Sequence, residues 1–294
     1  MNWMRLKWLY FLLSALVILP GIFSLVKWGL KPSIDFSGGT LLELKFSETA
    51  RQQDSEAEIK EELFKRDFEV SSVQTSNGDT FLIKMKPITK DKVATIKVVL
   101  AEKFEEMPEE VRFETVGPAL GRELLVKTLV GILLAAGFIL FYVAWSFKDK
   151  MFGVCAILAM FHDSLVLLGV FSLLGHFKGV EADTLFVTAM LTILSFSVHD
   201  TVVVYDRIRE SQREFPKANL VDLINKAVTE TLSRSLNNSL TIIFMLLALW
   251  LMGGQTVKWF VFALLIGTIS GTYSSTFIAA PLLVIWDQLK LRKH

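Results

Sequence analysis

Cysteine is nearly absent: Cys155 is the only one in 294 residues, and it sits inside an apolar run. That excludes an intrachain disulfide and a cysteine-based metal cluster, leaving Cys155 as a small packing residue. An excess of charge of either sign is missing too. Thirty-one Lys and Arg stand against 30 Asp and Glu, for a net charge of +1, so no basic field points to nucleic acid. Catalytic signatures are also lacking. No Gly-Lys-Ser/Thr follows Gly38-Gly39, so this is not a phosphate loop, and no His-Glu-x-x-His occurs. Tyr205-Asp206 is a pair found in intramembrane aspartyl proteases, but the Gly-x-Gly-Asp those enzymes carry on another helix is missing. No cofactor, metal site or enzymatic activity is expected.

What the chain has is apolar length. Hydrophobic residues make up 52% of it, at a mean hydropathy of +0.47, and their distribution matters more than their total. An apolar run from Trp8 to Val26 follows Arg5 and Lys7. It is longer than the 7–15 or so residues of a signal-peptide core and lacks a small-residue cleavage pattern, so a retained anchor is expected, with a kink at Pro20-Gly21. Five further runs lie near 124–147, 151–175, 183–205, 239–253 and 257–286. A helix needs about 20 apolar residues to cross the hydrocarbon core. Ser239–Gly253 is therefore short unless polar residues before it join the helix. The last run is long enough to call for tilt, a kink near Gly267 or Gly271, or an extension beyond the bilayer.

Short-loop charges set the orientation. With six spans both termini share a side. That side collects Arg5, Lys7, Lys148, Lys150, a 206–238 loop with Arg207, Arg209, Arg213, Lys217, Lys226 and Arg234, and then Lys290, Arg292 and Lys293. The opposite short loops offer Lys178 and Lys258. Both termini are expected in the cytoplasm. The expected division is 1–30 for the N-terminus and helix 1, 31–123 for an extracytoplasmic α+β domain, and 124–294 for helices 2–6.

Inside 31–123, Thr40–Phe46 alternates as a strand does. Ser55-Glu56-Ala57-Glu58 is a capping-box pattern opening a helix to about Lys65. Phe68–Thr75 and Thr80–Met85 flank Asn77-Gly78, a hairpin turn pair. Val93, Ile96, Val99, Leu100 and Phe104 mark one face of a helix over about 89–105, and Val111–Val116 closes as a strand. The order β-α-β-β-α-β suggests a ferredoxin-like sandwich.

Ionisable residues in the apolar runs are the functional signal, since an Asp at the centre of a span costs about 2.5–3.5 kcal/mol on insertion scales. Two runs carry His-Asp pairs, His162-Asp163 and His199-Asp200. Arg234, Asn237, Asn238 and Thr241 follow helical spacing and form a polar stripe. That stripe is expected to face the bundle interior and give Asp200 a counter-charge, Asp200 sharing its own face with Ser197 and Arg207. Blander readings stand beside this one. In these the aspartates are structural, hydrogen-bonded between helices, and the histidines are their hydrogen-bonded neighbours. Arg207, Arg209, Arg213 and Arg234 then serve only to fix topology. Adjacent helix residues point about 100° apart, so the His-Asp pairs are poorly placed to chelate a metal.

The motifs then add up. Ile34-Asp35-Phe36-Ser37-Gly38-Gly39-Thr40, Val116-Gly117-Pro118 with Gly121-Arg122-Glu123-Leu124, the stretch Ser197 to Glu210, and the stretch Ser233 to Thr241 occur in order along nearly the whole chain. Together they resemble the SecD/SecF family of the resistance-nodulation-division superfamily. The resemblance implies a polytopic six-helix half with an extracytoplasmic domain between helices 1 and 2, in the bacterial inner membrane. It also implies partnership with SecD, the SecYEG channel, YajC and YidC, an unfolded preprotein as client, and export driven by the proton motive force. Asp200 matches the family's intramembrane proton-path aspartate and Arg234 its arginine. Asp163 and His199 join them as further proton-path candidates. One departure stands out, because the family usually has Asn where this chain has His199. A non-pumping scaffold and an exporter of lipids or small hydrophobic molecules are the rival readings.

Overall fold

The computed structural model describes residues 2–46, 55–75, 79–147 and 149–291. They form two compact units. One joins Met1–Lys31 to Gly131–His294, and the other is Pro32–Val130.

The smaller unit is a four-stranded antiparallel sheet carrying helices. Its strands are β1 (Gly39–Lys45), β2 (Val70–Thr75), β3 (Thr80–Met85) and β4 (Glu109–Val116), in the order β2-β3-β1-β4. Register is fixed by apolar alternation: Leu42 lies opposite Ile83 on one side and Phe113 on the other. Leu42, Leu44 and Ile83 are fully buried with Ile59 and Leu63 of α3 (Ser55–Lys65) and Ile96 and Leu100 of α4 (Asp91–Phe104). Each such side chain contributes about 1.5–3 kcal/mol by leaving water. The β-α-β-β-α-β order is as expected. The side chain of Ser55 and the turn at Asn77-Gly78 lie outside the described residues. A one-turn helix, α2 (Ile34–Ser37), precedes β1, capped by the Ser33 hydroxyl. The role of Gly38-Gly39 follows from geometry. Gly38 has φ of +73°, and a Cβ there would stand 2.8 Å from Cα of Pro118, so the backbones meet where no side chain fits.

The larger unit is helical. Among the described residues, six helices are long and apolar enough to cross a membrane: Trp3–Lys27, Pro118–Ser146, Lys150–Lys178, Thr184–Glu214, Leu220–Met252 and Thr256–Lys290. We call the regular helices α1 (Lys7–Lys27), α5 (Pro118–Ser146), α6 (Lys150–Lys178), α7 (Thr184–Glu214), α8 (Leu220–Met252), α9 (Gln255–Ser274) and α10 (Ala280–Leu291). A five-residue π segment, Ser275–Ala279, joins α9 to α10.

One expectation changes here. The loop expected at 206–238 is mostly helix. α7 continues to Glu214, and α8 starts at Leu220 behind the Asn219 side chain, which accepts from the Val221 amide. Polar composition resembled a loop, but Arg207 pairs with Glu210 one turn on and with Glu230 across on α8 at 2.5 Å. Lys226 likewise meets Glu214. The long last run is helical through Gly267 and Gly271. A Cβ on Gly267 would collide with the Ile193 side chain, so this glycine admits α7, and the helical irregularity is the π segment further on. α1 continues as helix through Pro20. Gly21 meets Gly169 of α6, where added Cβ atoms would lie 2.6–2.9 Å from the opposing backbone. Lys148, Arg292 and Lys293 lie outside the described residues.

Candidate functional site

Buried polar groups mark the centre of the helical unit. Asp163 on α6 has 0% exposure and Asp200 on α7 has 6%. An isolated charge in such surroundings is very costly, so it must be hydrogen-bonded, paired or protonated. Hydroxyl groups surround both carboxylates.

Asp163 accepts from Ser197 of α7 at 2.5 Å, and from Ser270 and Ser274 of α9 at 2.6 and 2.5 Å. The ring of His162 completes the set, with Nδ1 3.0 Å from Asp163 Oδ1. Its other nitrogen, Nε2, is bonded to the Ser14 hydroxyl on α1. Asp200 accepts from the Ser235 hydroxyl of α8 on both oxygens, at 2.8 and 2.9 Å, and from the Ser275 hydroxyl. The two carboxylates interact electrostatically.

The helix joining them matters. Ser270, Ser274 and Ser275 stand at i, i+4 and i+5, and the π segment begins at Ser275. Ser270 and Ser274 share a face of an α-helix and meet Asp163, while Ser275 turns to Asp200. π-Helical insertions recur at functional sites because they re-aim side chains. Their looser turns also free carbonyl groups. The fully buried Tyr205 hydroxyl donates to the carbonyl of the segment's last residue, Ala279, at 2.9 Å. Tyr205 is therefore part of the packing, and its neighbour Asp206 pairs outward with Arg209.

The polar stripe on α8 differs from expectation. Arg234, Asn237, Asn238 and Thr241 are exposed, and the inward residues are Thr231, Ser235 and Ser239. Ser239 accepts from Thr272 at 2.6 Å. The inward stripe is thus one position out of step with the expected one, about 100° round the helix. Small hydroxyls fit between close helices and a guanidinium does not. Asp200 is met by Ser235, and Arg234 lies on a face that this chain's own helices leave open. Ser197 shares the Asp200 face as expected but donates to Asp163. His199 is exposed and lines a cavity of about 310 Å³ with Phe138, Tyr142 and Ser195. Sequence reasoning missed Ser235, Ser270, Ser274 and Ser275. The available signal was the Ser270-to-Thr276 stretch, rich in hydroxyls inside an apolar run.

Known proteins give this geometry a context. The family model described as "Protein export membrane protein SecD/SecF, C-terminal" matches residues 95–289, and the "SecD/SecF GG Motif" matches 23–50. The chain belongs to the SecD/SecF family. The GG match includes Gly38-Gly39, whose backbone role was given above. A protein translocase subunit SecF of Thermobaculum terrenum is 43% identical over 96% of this chain and 93% of its own length. One of Anaerolinea thermophila is 37% identical over 98% and 94%. Among solved structures, SecDF of Thermus thermophilus, described as a translocon-associated membrane protein, matches 98% of this chain with a TM-score of 0.85 at 32% identity. This chain spans 39% of that one. A SecDF structure in a super-membrane-facing form gives a TM-score of 0.69 at 31% identity.

Proposed function

We propose that this chain is a subunit of the Sec preprotein translocase that acts with SecD to promote protein export across the bacterial cytoplasmic membrane. On this reading it is a transport component, with six spans, both termini in the cytoplasm and residues 31–123 outside. SecYEG, YajC and YidC are its further partners, an unfolded preprotein is its client, and protons drive it. Family membership supports the export role. A hydroxyl-bound, buried Asp200 with no Lys or Arg bonded to it among the described residues supports the proton role.

The chemistry follows from what a carboxyl group can do. Ionised, Asp200 only accepts, and Ser235 on α8 and Ser275 on the last helix both donate to it. Protonated, it must donate from one oxygen. One of those hydroxyls then has to turn away, and the fit between α7, α8 and the last helix changes. Asp163 is the second carboxylate of the path, and Arg234 and His199, both exposed, are left for a partner half to complete.

Magnitudes require more than one proton. A charge crossing the field yields about 2.3 kcal/mol per 100 mV, so about 3.5 kcal/mol at roughly 150 mV. Inverting a 1:99 equilibrium takes about 5.5 kcal/mol. A pH gradient or a second proton supplies the difference. A pulse-chase export assay of Asp200→Asn, with and without an uncoupler, tests the reading. Proton-coupled export should vanish while the subunit still inserts; full activity would refute it.

A further inference from the structure

α1 meets its neighbours α6 and α9 at two levels and parts from them in between. At one level the Gly21–Gly169 crossing brings α1 against α6. About 16 Å away along the helix axis, the Tyr273 hydroxyl of α9 donates to Tyr10 O at 2.8 Å. The interval holds a cavity of about 380 Å³, walled by Leu13, Val17, Val166 and Ile269. It opens outward, because Leu13, Val17 and Ile269 are half-exposed.

Four polar side chains also line this groove, and each is turned to the protein. Ser14 and His162 bond to each other, and His162 Nδ1 lies 3.0 Å from Asp163. Ser270 donates to Asp163 at 2.6 Å, and Tyr273 to the Tyr10 carbonyl. The surface left to an occupant is apolar, so the enclosed part of that occupant must be apolar too.

Depth and charge narrow the choice. Trp8 and Trp28 bracket α1, both exposed, about 30 Å apart along the axis. That is the thickness of the hydrocarbon core, and tryptophan collects at its two boundaries. Leu13 to Val17 then lie about 8–14 Å inside the Trp8 boundary, where acyl chains run. At that boundary Lys7 stands on the groove's own face of α1, seven residues before Ser14. It donates to the neutral side chain of Gln288 on α10 at 2.9 Å. Arg5 and Lys290 are exposed at the same end, and Asp287, beside Gln288, offsets one of the three cations.

We propose that the groove between α1, α6 and α9 binds one acyl chain of an anionic phospholipid whose phosphate is held at Lys7. The chain lies on Val17 and Val166, and Arg5 and Lys290 add to the attraction at the headgroup. Leu12, Leu16 and Leu19 on the outer side of α1 are exposed, so the mouth of the groove faces the lipid phase. A neutral lipid would find the same groove without the cation. This inference relies on the membrane setting and not on proton coupling.

The test uses full-length chain in nanodiscs, alone and co-expressed with SecD. The discs carry phosphatidylglycerol with a diazirine in mid-chain, or the matching phosphatidylcholine. Crosslinks are mapped by mass spectrometry, with exposed Leu133 on α5 as the reference for bulk lipid. We expect phosphatidylglycerol to label Leu13 and Val166, relative to Leu133, about fivefold more than phosphatidylcholine does, the weight of one basic residue at a membrane surface. Lys7→Gln, a surface change, should erase that preference and leave labelling at the phosphatidylcholine level. Val17→Trp, at the half-exposed mouth, should abolish groove labelling with either lipid while Leu133 is unaffected. Groove labelling no stronger than at Leu133, or indifference to the headgroup, would overturn the proposal. So would loss of labelling when SecD is present, which would make the groove a subunit contact. The readout needs no export, so this test and that of Asp200→Asn fail separately.

Discussion

The two units of this chain invert each other. In the sheet unit, apolar side chains such as Leu42, Ile83 and Leu100 are inside, and charged pairs such as Lys65 with Glu61 lie at the surface. In the helical unit Leu16, Phe138 and Trp145 are more than two-thirds exposed, and Asp163, Ser197 and Ser274 have no exposure at all. Each arrangement suits a different solvent. Water rewards an apolar core, whereas lipid tails are as apolar as leucine and give helices no hydrophobic reason to associate. Close packing and interhelical hydrogen bonds remain, and the hydroxyl–carboxylate clusters and the Gly21–Gly169 crossing supply both. The polar centre is therefore the glue of the bundle and, on the proposed reading, the place where a proton acts.

Substitutions can break that contrast. The largest effect is expected at Asp200→Asn, which should abolish proton-coupled export in pulse-chase while membrane insertion persists. In the sheet unit, Leu42→Ala should cost about 2–5 kcal/mol of local stability. Hydrogen exchange on the intact protein would read it as lost protection in β1 and β3, with no loss in α6 or α7. A smaller effect is expected from Ser275→Ala, about 0.5–2 kcal/mol, visible as a lower unfolding midpoint in detergent; Ser275→Thr, which keeps the hydroxyl, should restore most of it. The smallest belongs to the surface pair. Lys65 beside Glu61 holds that carboxyl below its ordinary range. Its contribution is therefore present above the unfolded pKa and is lost as pH falls through the lowered folded value. Both groups are exposed, so salt should screen the effect. Glu61→Gln should flatten only this slight acid-side slope.

The sequence disclosed the two units unequally, for physical reasons. Alternation at Thr80–Met85 and the helical apolar face of Val93, Ile96, Val99 and Leu100 carried the sheet unit, because one side of each element faces water and the period is plain. In the bundle both faces of a helix may be apolar, so period says less. Asp163 and Asp200 stood out as charges in apolar runs. Their partners did not, since serine is common and its spacing here obeys α-helical geometry only until Ser274. The α8 stripe is ambiguous in sequence because two neighbouring stripes are both polar, and only packing separates small hydroxyls from Arg234. The 206–238 region resembles a loop in sequence because it is densely charged; in the structure that charge forms ion pairs along and between two helices.

The five residues Ser275–Ala279 have one more implication. Two neighbouring serines, Ser274 and Ser275, answer to different acids, so the last helix acts as a single key cut for two locks. A rotation or slide that loosens one must disturb the other. Removing a single residue after Ser275 would put α10, and the Ala279 carbonyl that Tyr205 meets, out of phase with α9, even though no acidic residue and none of the serines bonded to one had been touched.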